Sequence, residues 1–409
     1  MKILWLSNII VPIVCKELGI PCTVLGGWMD DLANRLSVEH EMVFVFPNKE
    51  KTVEGHNKNI KYYGFKKCNE LFFTRVLSIE KPDIIHIWGT EGQHSMYMMR
   101  ASSEYGMRDR TVVSIQGLVH YIAKYHYCAG LPADVITRHT FHDVIVKNNI
   151  YQQCIRFERR GRDEIEVLKN AKYVIGRTEW DYESVKLVNP NMEYFHCNES
   201  LREPFYEKEW DIDRCDKVQI FMSQGQYPLK GLHMAIHALH YIVERFPDIK
   251  LVVIAKDVQK QPFYKLTGYQ SYIRELLNNY KLMDNVVFCS QMNASLMAET
   301  ICKSRVFINS SSIENSSNSL GEAMLIGCPC VASNVGGTNS FISDGVDGFL
   351  YPFNEPYILA TKLLKLLLDD KLSKMISLNA RKRAAEVYNR EDNYSTMIDI
   401  YTSICKNTV

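Results

Sequence analysis

The sequence predicts an α/β protein of two Rossmann-like doubly wound domains facing across a cleft. Three observations carry that prediction. Short β-branched runs alternate with amphipathic stretches over nearly all of the 409 residues, as parallel strands with helical crossovers require. The runs fall into two consecutive series, one for each sheet. A polar stretch without strand periodicity, "NESLREPFYEKEWDIDRCDK" from Asn198 to Lys217, separates the series.

In the first series the strand candidates are "KILWLS" (2–7), "MVFVFP" (42–47), "DIIHIW" (83–88), "TVVSIQ" (111–116) and "YVIGRT" (173–178). Most are near-continuous apolar runs, as expected of strands covered on both faces. The second series is "VQIFMSQ" (218–224), "KLVVIAK" (250–256), "NVVFCS" (285–290), "RVFINSS" (305–311) and "PCVAS" (329–333). Helical stretches such as "MDDLANRL", "RDEIEVLKNA" and "GLHMAIHALHYIVERF" fall between them. The expected division is residues 1–205 and 206–388. The last helix, about 389–409, is expected to pack back on the first domain.

Bulk properties narrow the class of function. The formal charge of +1 argues against a dedicated nucleic-acid binder, which carries a basic excess. The opening "MKILWLSNII" has no small-residue cleavage site and reads as a first strand rather than a signal peptide. No run reaches the ~18 to 20 apolar residues that span a bilayer. The twelve cysteines lack paired spacing, which points to reduced thiols in a cytoplasmic protein, with peripheral contact to the inner face of the membrane as an option.

Ligands of open α/β sheets bind beyond the carboxyl ends of strands, so the post-strand segments hold the site candidates. After "RVFINSS" a helix is expected from about Ser319 to Gly327, with Ser319 and Glu322 as an S-x-x-E capping box. Free amides at that helix start also suit a phosphate. Gly26 and Gly27 in "GGWMDDLANRL" stand at the mouth of another helix, where glycine lets backbone approach an anion. His86, His94, His126, His139 and His142 show no metal-ligand spacing. "DID" at Asp211–Asp213 lies in the linker rather than after a strand. "RFERRGRDE" clusters Arg156, Arg159, Arg160 and Arg162. It reads either as a basic membrane patch or as a solvated face compensated by Glu158, Asp163 and Glu164. Arg177 either faces the cleft or pairs with Glu179 or Asp181.

The wider pattern from 305 to 353 is more specific. Glu314 and Glu322 form E-x7-E, followed by "EAMLIGCPCVASNVGG" and "ISDGVDGFLYP". Here the sequence resembles retaining glycosyltransferases of the GT-B fold, in particular glycosyltransferase family 4. "SQGQYPLKG" matches that family's G-R-x-x-x-x-x-K-G, with Lys230 as the diphosphate-contacting lysine. Gln224 stands where the family has arginine.

The resemblance implies transfer of a sugar from a nucleotide-diphosphate sugar to a hydroxyl with retention at the anomeric carbon. It implies no cofactor and no metal. Glu314 would hold donor sugar hydroxyls and Glu322 the ribose, as carboxylates accept two hydroxyl donors at once. Lys230, the amides of Asn318, Ser319 and Leu320, and Gly26/Gly27 would stabilise the departing diphosphate. The base would lie against Ser290, Gln291 and Met292. Glu91, His94, Gln116, His120 and Arg177 are the acceptor-side candidates. Gln116 and His120 are alternatives for the histidine that members place near the anomeric centre. The acceptor would be a saccharide or a lipid-linked saccharide of surface polysaccharide synthesis. A nucleotide-sugar epimerase of related fold, or a catalytically weak nucleotide-sugar-binding subunit, is the alternative reading.

Overall fold

The ten apolar runs become nine inner strands and one edge strand of two sheets in a computed structural model, which describes residues 1–22 and 24–407. Strands of the first sheet are β1 (Lys2–Ser7), β2 (Glu41–Pro47), β3 (Val53–Asn57), β4 (Ile60–Phe65), β5 (Ile84–Trp88), β6 (Thr111–Ser114), β7 (Tyr173–Gly176) and β8 (Glu193–His196). Their order is β3-β4-β2-β1-β5-β6-β7-β8. Every pairing is parallel except β3 with β4. The second sheet has β9 (Asp216–Met222), β10 (Lys250–Ile254), β11 (Val286–Cys289), β12 (Ser304–Asn309), β13 (Cys330–Ser333) and β14 (Phe349–Tyr351). It is all parallel, in the order β11-β10-β9-β12-β13-β14.

Four strands, the inner β4 and the edge strands β3, β8 and β14, have no counterpart among the apolar runs. β3, "VEGHN", is largely exposed and exists as the antiparallel edge partner of β4. Lys58, at φ +49°, makes the turn between them. β8 and the three-residue β14 are likewise edge strands. An edge strand needs backbone partners on one side only, so it lacks a run buried on both faces.

The chain divides into two compact units. One comprises Met1–His120, Arg159–Arg202 and the residues from Tyr388 on; the other comprises Tyr121–Glu158 and Glu203–Val387. In the first, the final helix (Arg390–Lys406) lays Met397, Ile400, Tyr401 and Ile404 into the core around Trp5, Phe44 and Trp88. That i, i+3, i+4, i+7 stripe holds the helix, at about 1.5–3 kcal/mol for each large apolar side chain buried. Polar ties fix its rotation. Tyr401 Oη accepts from Trp5 Nε1 at 3.0 Å and meets His86 Nδ1 at 2.6 Å. His86 Nε2 lies 2.6 Å from Ser114 Oγ.

Residues 121–158, placed with the first domain by the strand series, group with the second unit. The reason is a set of specific bonds. Asp143 Oδ2 accepts from Gly268 N at 2.7 Å, Arg138 pairs with Glu275 at 2.6 Å, and Ser312 Oγ donates to His126 O at 3.0 Å. Among the described residues no helix is long and apolar enough to cross a membrane.

Candidate functional site

In the second unit β10 and β12 lie on opposite sides of β9, so the β9/β12 boundary is the switch point at which such sheets open a crevice. A pocket lies there, lined by Met222, Ser223 and Gln224 at the end of β9 and just beyond it, by Asn309, Ser311 and Glu314 at the end of β12 and beyond it, and by Lys230 and Ser319. Lys230 Nζ donates to Glu314 Oε1 at 2.6 Å, and Ser311 Oγ donates to the same oxygen at 2.5 Å. Burial works to lower the Lys230 pKa, but the Glu314 carboxylate outweighs it and holds the ammonium above its ordinary value. Lys230 is therefore a fixed positive charge.

The loops carrying these groups interlock. Gly231 adopts φ +68° and ends the short 3₁₀ turn Pro228–Lys230. Ser310 Oγ donates to Gly231 O at 3.0 Å, and Ser312 N donates to Leu229 O at 2.8 Å. Glu314 O accepts from Gly337 N at 2.9 Å. Lys230 and Glu314 are thus set by backbone on both sides.

The helix behind the pocket begins earlier than the capping-box reading placed it. It spans Asn318–Ile326 with Ser317 as N-cap, whose Oγ accepts from Leu320 N. Asn309 Nδ2 orients that hydroxyl at 2.9 Å. Ser319 is therefore the second helical residue, and the Ser319/Glu322 box does not cap this helix. Glu322 instead sits in the second turn, 3% exposed. The helix meets the pocket at Ser319, where the dipole end favours an anion, whereas the Leu320 amide expected to face a phosphate is taken up by the Ser317 cap. Gln224 is exposed at the pocket wall, which leaves Lys230 as the cationic side chain among the described lining residues. Ser290, Gln291 and Met292 follow β11, two strands from β9, and are outside the pocket lining. Met292 is buried and its sulfur accepts from Thr300 Oγ1 at 3.6 Å.

In the first unit the acceptor-side candidates form three groups at the strand ends. Asn8, after β1, joins two of them: its Nδ2 donates to Glu91 Oε2 at 2.9 Å, and its Oδ1 meets His94 Nε2 at 2.6 Å. Glu199 joins two more, accepting from Gln116 Nε2 at 2.6 Å and from Arg177 at 2.5 Å. Arg177 thus pairs with Glu199; the Asp181 carboxylate caps backbone amides of Arg177 and Thr178. His120 Nδ1 meets Glu164, which also accepts from Thr90 Oγ1 and from the amides of Val119 and His120. Glu164 is fully buried and does not belong to a solvated face. Gly26 and Gly27 lie in a 3₁₀ turn (Val24–Met29), and a Cβ on Gly27 would come within 2.8 Å of Arg202 Cδ. A side chain at Gly27 would have to displace the Arg202 stem. Among the described residues no group of three or more His, Cys, Asp or Glu side chains is arranged as a metal site.

Buried histidines give the folded chain a definite acid response. Burial holds His86 well below its ordinary pKa, His94 is pushed down to about 4 by burial and Arg160, and His233 to about 3 by burial and His237. Unfolded, each takes up a proton near pH 6.5. Their stabilisation is complete above that pH and falls as pH drops, by up to about 1.4 kcal/mol per pH unit for each histidine. Asp181, its carboxyl pushed up to about 6 by burial, works the other way and offsets roughly one histidine between about pH 4 and 6. The urea midpoint of tryptophan fluorescence is expected to fall between about pH 7 and pH 5. An unchanged midpoint would show that these histidines are hydrated in the folded state.

Comparison with known proteins gives part of the second unit a family match. The model of the glycosyl transferases group 1 family matches residues 204–383. The putative glycosyltransferase YtcC of Bacillus subtilis is 25% identical over 206 residues, 49% of this chain; the chain spans about half (48%) of that relative's length. N-acetyl-alpha-D-glucosaminyl L-malate synthase of Bacillus anthracis is 24% identical over 306 residues, 71% of this chain and 74% of that protein. The Anabaena protein HepE, solved in complex with UDP, superposes with a TM-score of 0.69 at 16% identity, over 98% of this chain and 100% of that one. Residues 204–383, in the second unit, thus match the group 1 glycosyl transferase family, and the two-sheet fold is that of GT-B structures.

Proposed function

We propose that the chain transfers a sugar from a nucleoside-diphosphate sugar to a hydroxyl acceptor with retention, and that it does so without a divalent metal. The observation that carries this reading is the Lys230–Glu314 pair at the β9/β12 switch point, beside the start of helix Asn318–Ile326. The ammonium and the helix amides supply the positive charge needed as the diphosphate departs. Glu314 then holds sugar hydroxyls near the reacting carbon, Glu322 holds the ribose, and the loop Ser290–Met292 lies against the base. In the transfer the bond from the anomeric carbon to the phosphate oxygen breaks. The bond to the acceptor oxygen forms on the same face, and the acceptor proton passes to the departing phosphate. Both carboxylates are occupied by hydroxyls in this arrangement, so neither serves as nucleophile.

The UDP bound to HepE supports a nucleoside diphosphate in the second unit, with Lys230 as its side-chain cation. The acceptor proposed is a saccharide or lipid-linked saccharide of surface-polysaccharide synthesis, held by the Asn8, Glu199 and Glu164 groups of the first unit. Thermal-shift measurements with a panel of nucleotide sugars, with and without EDTA, test the donor reading. Stabilisation by one nucleotide class that survives chelation is expected. Stabilisation that EDTA abolishes would overturn the metal-independent reading, and absence of any shift would overturn nucleotide-sugar binding itself.

A further inference from the structure

The second unit carries an apolar face that its own fold does not cover. Helix Phe141–Val146 exposes Phe141 (63%), Val144 (60%) and Ile145 (64%). The 3₁₀ turn Phe263–Lys265 packs beside it and exposes Phe263 (78%) and Tyr264. These side chains do not belong to a frayed segment. Thr140 and Asp143 close a reciprocal capping box at the helix start. The buried Asp143 carboxylate also accepts from Gly268 N, and Arg138 ties the preceding residue run to Glu275. A rigid helix that turns its polar residue inward and its aromatic and β-branched residues outward presents a prepared contact surface.

Charge around this face identifies the occupant. Lys147 and Lys265 flank the apolar residues, and Arg156 lies nearby, held to Lys147 O at 3.3 Å. Among the described residues none of the three has a carboxylate within ion-pair distance, while Arg138 is matched by Glu275 and Asp134 and Lys260 by Asp257. A second copy of the chain meeting this face through twofold symmetry would set these like charges against each other. An anionic lipid surface matches both features: the apolar residues enter the headgroup region and the basic rim meets the lipid charge.

We propose that helix Phe141–Val146 and the turn Phe263–Lys265 form a docking face for an anionic membrane surface. The face lies outside the donor pocket, and its occupancy does not depend on the transfer reaction. Co-sedimentation of the full chain with vesicles tests it, using phosphatidylcholine alone and phosphatidylcholine mixed with phosphatidylglycerol. The wild type is expected to pellet with the mixed vesicles and not with the neutral ones, and to be released by salt. Phe141→Ser/Ile145→Ser/Phe263→Ser and Lys147→Glu/Lys265→Glu are each expected to lose about tenfold or more in vesicle affinity. Their nucleotide-induced thermal shift should be unchanged, which separates loss of docking from loss of fold. No pelleting of the wild type, or equal pelleting with neutral vesicles, overturns the proposal. So does a wild-type dimer in light scattering that the serine variant converts to monomer, since the face would then bind a second copy.

Discussion

Replacing Glu314 with glutamine is expected to reduce kcat/KM for sugar transfer by about a hundred- to a thousandfold, or ~3–4 kcal/mol of transition-state stabilisation. The substitution keeps the shape and leaves an amide oxygen that still accepts from Ser311 Oγ and Lys230 Nζ, the two donors now at 2.5 and 2.6 Å. It removes the negative charge that holds the Lys230 ammonium above its ordinary pKa. The full charge of Lys230 is then balanced by the diphosphate alone. Nucleotide affinity therefore changes little, by less than about tenfold, because one attraction replaces another of similar range. What is lost is the carboxylate that orients the sugar at the reacting carbon. Steady-state kinetics and calorimetric titration of the nucleoside diphosphate check the two halves separately. Unchanged turnover would remove Glu314 from the proposed role. Loss of turnover and of nucleotide affinity together would make it a structural anchor for Lys230 instead.

The Lys230–Glu314 pairing was only half legible in the chain. Sequence spacing brought both residues forward through the resemblance, and nine inner strands stood out because two-sided burial writes continuous apolar runs. The partners that fix the site were harder to see. Ser311 is one serine in a polar run, and nothing local marks it as the second donor to Glu314. Ser317 and Ser319 both fit a cap two residues apart; Asn309 selects Ser317 through a tertiary bond that no local rule contains. Glu164 stands among arginines and reads as a surface charge until Thr90 and His120 enclose it. Glu199 lies in the polar stretch taken as linker, yet it gathers Gln116 and Arg177. Ser311 and Asn309 reach their partners within one irregular loop after β12, whereas for Glu164 and Glu199 the deciding contacts join residues far apart in sequence. The grouping of 121–158 with the second unit has the same origin, since Asp143 finds Gly268 across 125 positions.

Gly231→Ala is expected to be the most damaging single-methyl change in the second unit. Gly231 adopts φ +68° and ψ +29°, a conformation that costs an L-residue about 1–2 kcal/mol. That cost is the smaller part. An alanine Cβ would lie 1.7 Å from Ser310 O, a backbone atom tied into the β12 exit loop, so the two loops must separate by well over an ångström. Ser310 Oγ then loses Gly231 O, and Ser312 N loses Leu229 O, bonds of 3.0 and 2.8 Å. Each loss of a buried bond costs about 1–3 kcal/mol. The same movement draws Lys230 away from Glu314, so nucleotide binding should fail along with the stability of the loop. Gly19→Ala supplies the control. Gly19 has a similar φ of +64° with nothing within 4 Å of its ideal Cβ, and it should cost about 1 kcal/mol with no effect on the nucleotide-induced thermal shift. Comparison of the two urea midpoints isolates the collision from the backbone strain. Equal losses in both variants would mean that the Gly231–Ser310 contact relaxes freely, and that the loop does not set the position of Lys230.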